Sequence, residues 1–373
     1  MNKAVIVSNG LHGPWNMGEV VLARNFSEVL LKIYSDVHVL STVDSKRGDA
    51  QEFRFPEFKV EFFDSKKGLS VALVNHLRCH CSVDVHFINA SLASFLSILP
   101  VARRVFLYQF AYNVLNVPST ITRSLTALPL TYLSNLRIIT TSFSSYEKLS
   151  KLFRRHYYYE PAPMHQEKFR NGLKQTDDSY ALKILYLGHG SYLRFPYDKT
   201  LGALTRLHAE GHRIKLKVYV SKLGYADYVN YVAGFSRYIE KCKAGDFVEL
   251  SLENLSETQK LEAISDCDVV LCPAVIGAAI DPPLVILEAM ALGKCVIASS
   301  IQSIPHILGN DRGIVINPKH LEEELYTELK KIAQEPNIVK EYAYHSKQWV
   351  LSEHNIQTVC DRMKNVIGYN CEY

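Results

Sequence analysis

The stretch IDPPLVILEAMALGKCVIAS, Ile280 to Ser299, holds two carboxylates in an otherwise apolar run, Asp281 and Glu288. An ionised side chain in such a helix is costly unless it is paired or hydrogen-bonded. Asp281 followed by Pro282 and Pro283 predicts a helix start, an Asp N-cap with proline at the first helical position. The prolines carry no N–H, so the amides of Leu284 and Val285 are left near the positive end of the helix dipole, where an anion is favoured. A separation of seven residues, two turns, sets Glu288 and Asp281 on a similar face. A phosphate would satisfy the amides, and the two hydroxyls of a ribose would satisfy Glu288.

Two glycine-bearing loops offer related chemistry. GHGSYLRF, Gly188 to Phe195, begins like a dinucleotide fingerprint at Gly188 and Gly190, but the third glycine position is Leu193. The loop carries His189 and Arg194, and a guanidinium fork matches phosphate oxygens. SNGLHGPWNMGE, Ser8 to Glu19, has Gly10, Gly13 and Gly18 without the G-x-G-x-x-G spacing. Either a ligand approaches its backbone closely or a turn needs glycine there. His86, in VDVHFIN, is a site histidine or a strand-end histidine satisfied by backbone. Of eight cysteines, only Cys79-His80-Cys81 has the look of a metal cluster, and no second pair stands at zinc-finger spacing.

These loops need strands to hold them. KAVIVSNG, DVHVLSTV, VDVHFINAS, RRVFLYQFA and LRIITTSF read as strands separated by helical stretches. YYYEPAPMHQEKFRNGLKQTDDSYA breaks the rhythm with Pro161 and Pro163 and reads as a linker. The alternation restarts at LKILYLGHG and runs through IKLKVYVS, FVELSLEN, CDVVLCPA, KCVIASS and GIVINP. Ser256 three residues before Gln259 is a capping-box pattern, and Gly211 closes the helix DKTLGALTRLHAEG. A chain of 373 residues with this pattern predicts two α/β domains. Their bounds are residues 1–165 and 166–345, with a C-terminal helix of about 346–373 returning to the first.

The charge is uneven. Residues 1–165 carry 18 Lys and Arg against 12 Asp and Glu, and residues 166–373 carry 24 against 26. The basic first half faces an anionic acceptor or membrane surface, or is a solvated surface. KLSKLFRRHYYY sets Lys148, Lys151, Arg154 and Arg155 on one helical side, suited to lipid head groups or to solvent. The apolar start is cut off at Ser8, short of a signal-peptide core, and Val269–Ile280 stops far short of a membrane span. A cytoplasmic protein is expected, with peripheral membrane contact through the basic half.

LVILEAMALGKCVIAS resembles the signature of glycosyltransferase family 4, E-G-F-G-L-x-x-L-E-A-M-A-x-G-x-P-V-I-A. The surrounding order is similar too: the first glycine loop, TTSFSSYEKL around Ser142, PAPMHQEKF, LYLGHGSYLR, LSETQKLEAISDCDVVLCPA, and GIVINP. The resemblance spans most of the chain and is strongest over residues 180–320. It implies the GT-B fold, two Rossmann-like domains facing across a cleft. It further implies retaining transfer of a sugar from a UDP- or GDP-linked donor to a lipid, glycan or protein-linked acceptor. Glu288 matches the family's ribose-binding Glu and Arg194 its diphosphate Lys. His189 stands where the family has a diphosphate Arg, and Gln109 where it has the first-domain His. Gly13 and Gly18 match the loop near diphosphate and acceptor. The first signature Glu falls on Ile280, so Asp281 is the nearest carboxylate for sugar hydroxyls, in competition with capping.

The site implied is thus Arg194, Gln109 and Asp281 at the reacting groups. Glu288, His189, Gly188, Gly190, Pro283, Leu284 and Val285 lie on the donor, and Gly13, Gly18 and His86 on the acceptor side. Asp266-Cys267-Asp268 has the D-x-D form of metal-dependent sugar transferases but occupies a helix-to-strand turn, and no metal or cofactor is expected beyond the nucleotide-sugar co-substrate. The partners implied are the nucleotide sugar and a sugar or lipid-linked acceptor, not nucleic acid. The alternatives are a nucleotide-sugar epimerase of GT-B fold and a non-catalytic sugar-nucleotide-binding protein.

Overall fold

The computed structural model describes residues 3–8, 11, 18–42, 59–80, 83–88, 90, 107–111, 135–151, 157–169, 181–221, 227–278 and 280–368. The chain forms two compact units. The first comprises Met1–His165, Ala279–Asp281 and Glu353–Tyr373, the second Gln166–Ala278 and Pro282–Ser352.

In the first unit a parallel sheet is built from β1 (Lys3–Ser8), β2 (Asp36–Thr42), β3 (Lys59–Phe63), β4 (Asp84–Ile88), β5 (Leu107–Ala111), β6 (Leu136–Thr140) and β7 (Tyr157–Tyr159). Their order is β3-β2-β1-β4-β5-β6-β7. In the second, β8 (Leu182–His189), β9 (Ile214–Ser221), β10 (Val248–Ser251), β11 (Val269–Cys272), β12 (Cys295–Ser299) and β13 (Ile314–Ile316) run β10-β9-β8-β11-β12-β13. Both orders reverse beside their first strand, the point at which doubly wound sheets bind ligands at the carboxyl ends of the strands. Successive residues Val269, Val270 and Leu271 are all fully buried, as are Val296, Ile297 and Ala298. Because alternate side chains point to opposite faces, this sheet is covered on both sides.

The helices of the first unit are α1 (Gly18–Leu31), α2 (Lys66–Cys79), α3 (Phe143–Leu149) and α11 (Ile356–Gly368), which packs on α1. The second carries α4 (Tyr197–Ala209), α5 (Tyr228–Lys241), α6 (Glu257–Ser265), α7 (Leu284–Ala291), α8 (Ile304–Leu308), α9 (Leu321–Gln334) and α10 (Asn337–Glu353), the last residue of α10 falling in the first unit. Both bonds of the capping box form at α6: Ser256 Oγ accepts the Gln259 amide at 3.3 Å, and Gln259 Oε1 accepts that of Ser256 at 2.9 Å. Gly211, just beyond α4, has φ +88°, the left-handed conformation glycine adopts at least cost.

Three expectations differ. KVEFF and YYY are strands, so the stretch read as linker, residues 157–181, opens with β7, whose Tyr157 is in the core, and contains the 3₁₀ turn Gln166–Phe169. The C-terminal helix is broken between α10 and α11. There the buried His354 donates from Nδ1 to Ala162 O at 2.9 Å, and its carbonyl accepts the Met164 amide at 2.7 Å. The basic helix face also stops short: α3 ends at Leu149, and Arg154 and Arg155 lie outside the described residues. Among the described residues no helix is long and apolar enough to cross a membrane.

Candidate functional site

The carboxyl ends of β8, β9 and β11 bring the second unit's candidate residues to one edge of the sheet. His189 ends β8 opposite Ser221 at the end of β9, with its Nδ1 3.1 Å from Ser221 Oγ. A Cβ on Gly190 would lie 2.7 Å from Cδ2 of Tyr228 at the start of α5, and one on Gly188 would lie 2.4 Å from the Tyr186 hydroxyl. A side chain at either glycine would therefore force a tyrosine to shift, a packing reason for glycine that involves no ligand. Beyond them, Arg194 donates from Nη1 to Ile276 O at 3.1 Å, and the Val275 amide donates to Leu193 O at 2.9 Å. The same Val275–Ala278 segment is held from β12's loop. Gln302 accepts the Ala278 amide at 2.6 Å on Oε1 and donates to the Ala278 carbonyl at 2.9 Å from Nε2. Gln302 does this at φ +50°, a conformation that costs a non-glycine residue free energy.

Helix α7 begins two residues later than the sequence pattern predicts. Pro283, with φ −59° and ψ 126°, occupies the N-cap position without a side-chain cap. Asp281 therefore does not cap α7, and it shares no helix face with Glu288. Among the described residues the amides of Leu284 and Val285 have no backbone acceptor, while that of Ile286 bonds Pro283 O at 3.0 Å. The two amides singled out from the sequence are thus available at the start of the helix.

Glu288 is 7% exposed, flanked by the fully buried Ile286, Leu287, Ala289, Met290 and Ala291. Its Oε1 accepts a 2.5 Å bond from Lys260 Nζ on α6. Sequence reasoning missed this lysine. A signal existed: Lys260 is the only Lys or Arg between Lys243 and Lys294, so a buried Glu288 in need of a cation had one local supplier.

In the first unit, Asp281 is fully buried. Its Oδ2 accepts from Ser142 Oγ at 2.5 Å and Ser144 Oγ at 3.3 Å, and its carbonyl accepts from Thr141 Oγ1 at 2.8 Å. Ser142 is also the N-cap of α3, accepting the Ser145 amide at 3.1 Å. The carboxylate is thus satisfied by hydroxyls of the β6–α3 turn. Gly18 is the first residue of α1, and Gly13 lies outside the described residues. Gln109 falls within β5, paired with Phe87 and Ile138, rather than in the loop after it. His86 likewise lies inside β4 and is fully buried. Tyr34 donates its hydroxyl to Asp84 Oδ2 at 2.6 Å, so His86 Nε2, 2.9 Å from the same hydroxyl, is the donor there. Burial pushes the His86 imidazole down to about 3 and the Asp84 carboxyl up to about 6. This is a buried polar network in the core, not a loop histidine open to an acceptor.

The D-x-D acids are engaged in a turn. Asp268 Oδ2 accepts the Lys183 amide at 2.9 Å and Asp266 pairs with Lys183 Nζ at 3.3 Å. Cys79 is an exposed thiol, and Cys81 lies outside the described residues. Among the described residues no group of three or more His, Cys, Asp or Glu could hold a metal ion.

Residues 197–349 match the family model described as "Glycosyl transferases group 1". A search of curated proteins gives no match. Among solved structures, a glycosyltransferase from Rickettsia africae is similar over 100% of both chains at TM-score 0.77 and 14% identity. Sucrose-phosphate synthase from Thermosynechococcus elongatus is similar over 99% of each at TM-score 0.74 and 15% identity. Anabaena HepE in complex with UDP is similar over 99% of this chain and 100% of its own, at TM-score 0.76 and 11% identity. With two parallel sheets of Rossmann order and likeness along the whole of such chains, this protein has the GT-B fold.

Proposed function

We propose that the chain is a retaining glycosyltransferase of family 4 type, moving a sugar from a UDP- or GDP-linked donor to a lipid, glycan or protein-linked acceptor. The observation that carries the reading is α7. It offers two amides without backbone acceptors at its start and one carboxylate on its apolar body, within the segment that matches group 1 glycosyltransferases. In this reading the amides of Leu284 and Val285, with Arg194 and His189, receive the diphosphate. Developing charge on the leaving phosphate is then met by fixed donors, the electrostatic term that commonly dominates catalysis. Those donors serve in place of a metal. Glu288 accepts from the ribose hydroxyls. The second unit is the donor side. The first, residues 1–165 with the returning C-terminal segment, is the acceptor side, and its basic surface suits an anionic lipid-linked acceptor or the membrane it sits in.

The engagement of Asp281 by Ser142 and Ser144, with Ile280 where the family has an acid, favours a second reading in which the protein binds a sugar nucleotide without turnover. One experiment separates the two. A thermal-shift panel of UDP-, GDP- and ADP-sugars identifies the donor, and the same donor is then incubated with lipid and glycan acceptors and the anomeric configuration of product read by NMR. Transfer with retention is expected. Stabilisation by a donor with no transfer or epimerisation supports the binding protein, and stabilisation by none of the donors refutes both.

A further inference from the structure

The geometry points to Lys260 as a positioning residue of the donor site: it holds the Glu288 carboxylate in the orientation that can discriminate a ribose from a 2′-deoxyribose. The inference rests on the assignment of Glu288 to the ribose. Three observations carry it. Glu288 is nearly buried on an apolar helix, where a carboxylate is costly unless a cation or hydrogen-bond donor is paired with it. Lys260 supplies that cation on a single oxygen, Oε1, at 2.5 Å. Its own place is fixed by the capping box at Ser256 and by the first intrahelical bond of α6, from the Lys260 amide to Ser256 O at 2.9 Å.

The chemistry follows from the count of donors and acceptors. An ionised carboxylate only accepts, at about four lone-pair sites on two oxygens. Lys260 takes one site on Oε1 and leaves Oε2 and the remaining site on Oε1 for hydroxyl donors. A vicinal diol brings two such donors, and a 2′-deoxy sugar brings one. Lys260 therefore acts on the nucleotide through Glu288.

The test measures the affinity ratio between a ribonucleoside diphosphate and its 2′-deoxy form by titration calorimetry, using whichever of UDP, GDP and ADP the wild-type protein binds. Wild type is expected to prefer the ribo form by about ten-fold or more, the scale of one hydrogen bond to a charged group. In Lys260→Met the ribo form should weaken until the ratio falls below about two-fold, while affinity for the deoxy form, which the diol contact does not serve, changes little. Lys260→Arg should restore the ratio. General damage to the fold would weaken both nucleotides alike and leave the ratio intact. An unchanged ratio in Lys260→Met overturns the proposal, as does an equal loss for both nucleotides. If Lys260→Met does not fold, Lys260→Gln is read in the same way. Glu288→Gln separates the underlying assignment. If it keeps the wild-type ratio, or if wild type binds none of the three diphosphates, the ribose reading falls and the role of Lys260 with it. If Glu288→Gln loses the ratio but Lys260→Met keeps it, only the role of Lys260 is refuted.

Discussion

Glu160 gives a sharp prediction about stability. It follows β7, is 5% exposed, and among the described residues its Oε2 has no hydrogen-bond partner. Burial pushes its carboxyl up from 4.5 to about 8, against an opposing pull from Arg362. Below pH 4.5 the group is protonated folded or unfolded and contributes no pH dependence. Between 4.5 and 8 the unfolded chain ionises while the folded one keeps its proton, so stability falls as pH rises, by about 1.4 kcal/mol per unit. The loss is about 3 kcal/mol at pH 7 and levels off at about 4–5 kcal/mol above pH 8. Glu160→Gln keeps the size and removes the proton. Its advantage over wild type should therefore grow with pH, from about 1 kcal/mol at pH 5 to about 3 at pH 7, before any constant offset. For a unit of this size each kcal/mol moves the midpoint by about 2–4 °C, giving roughly 6–12 °C at pH 7. Paired thermal scans at pH 5, 6, 7 and 8 read the gap. A gap independent of pH, or one that narrows as pH rises, refutes the argument that Glu160 is folded in as the neutral acid.

Two further outcomes follow from packing and polar contacts. Ser142→Ala removes both the cap of α3 and the short donor to buried Asp281, and urea unfolding should show a loss of about 2–4 kcal/mol. A loss under about 0.5 kcal/mol would mean that the carboxylate finds equal donors without it. Gly190→Ala drives a methyl into Tyr228 and should cost about 1–3 kcal/mol, relieved when Tyr228 is also truncated to Ala. If Gly190→Ala instead leaves stability alone and weakens nucleotide binding, the glycine is there for the ligand.

Much of the fold was legible because parallel strands buried on both faces read as apolar runs with turn residues at their ends. The strands missed, KVEFF and YYY, show why the rule has limits: the first carries charge within it, and the second is three residues long and runs straight into the prolines. The start of α7 was readable and was misread. A residue before proline is pushed out of the helical region. Asp281 precedes Pro282, and Pro282 precedes Pro283, so both are held out of the helix, and Pro283, at ψ 126°, takes the N-cap position. Of the candidate site, Glu288 and the two amides announced themselves by local chemistry, a charge in an apolar helix and donors freed by prolines. The partner of Asp281 did not. Ser142 lies 139 residues away in the chain, and no periodicity or composition links the two.

The return of residues 353–368 to the first unit has a consequence for the way the chain is made. Helix α1 is synthesised early, but α11, which packs on it and buries Ile356, Val359, Met363 and Val366 in the fold, emerges only after the whole second unit. At about 5–20 residues per second the wait is roughly 15–70 s. The second unit, interrupted only by Ala279–Asp281, can form meanwhile on the ribosome. The first stays open along α1 until α11 arrives, and that apolar seam is the surface on which a nascent-chain chaperone would act.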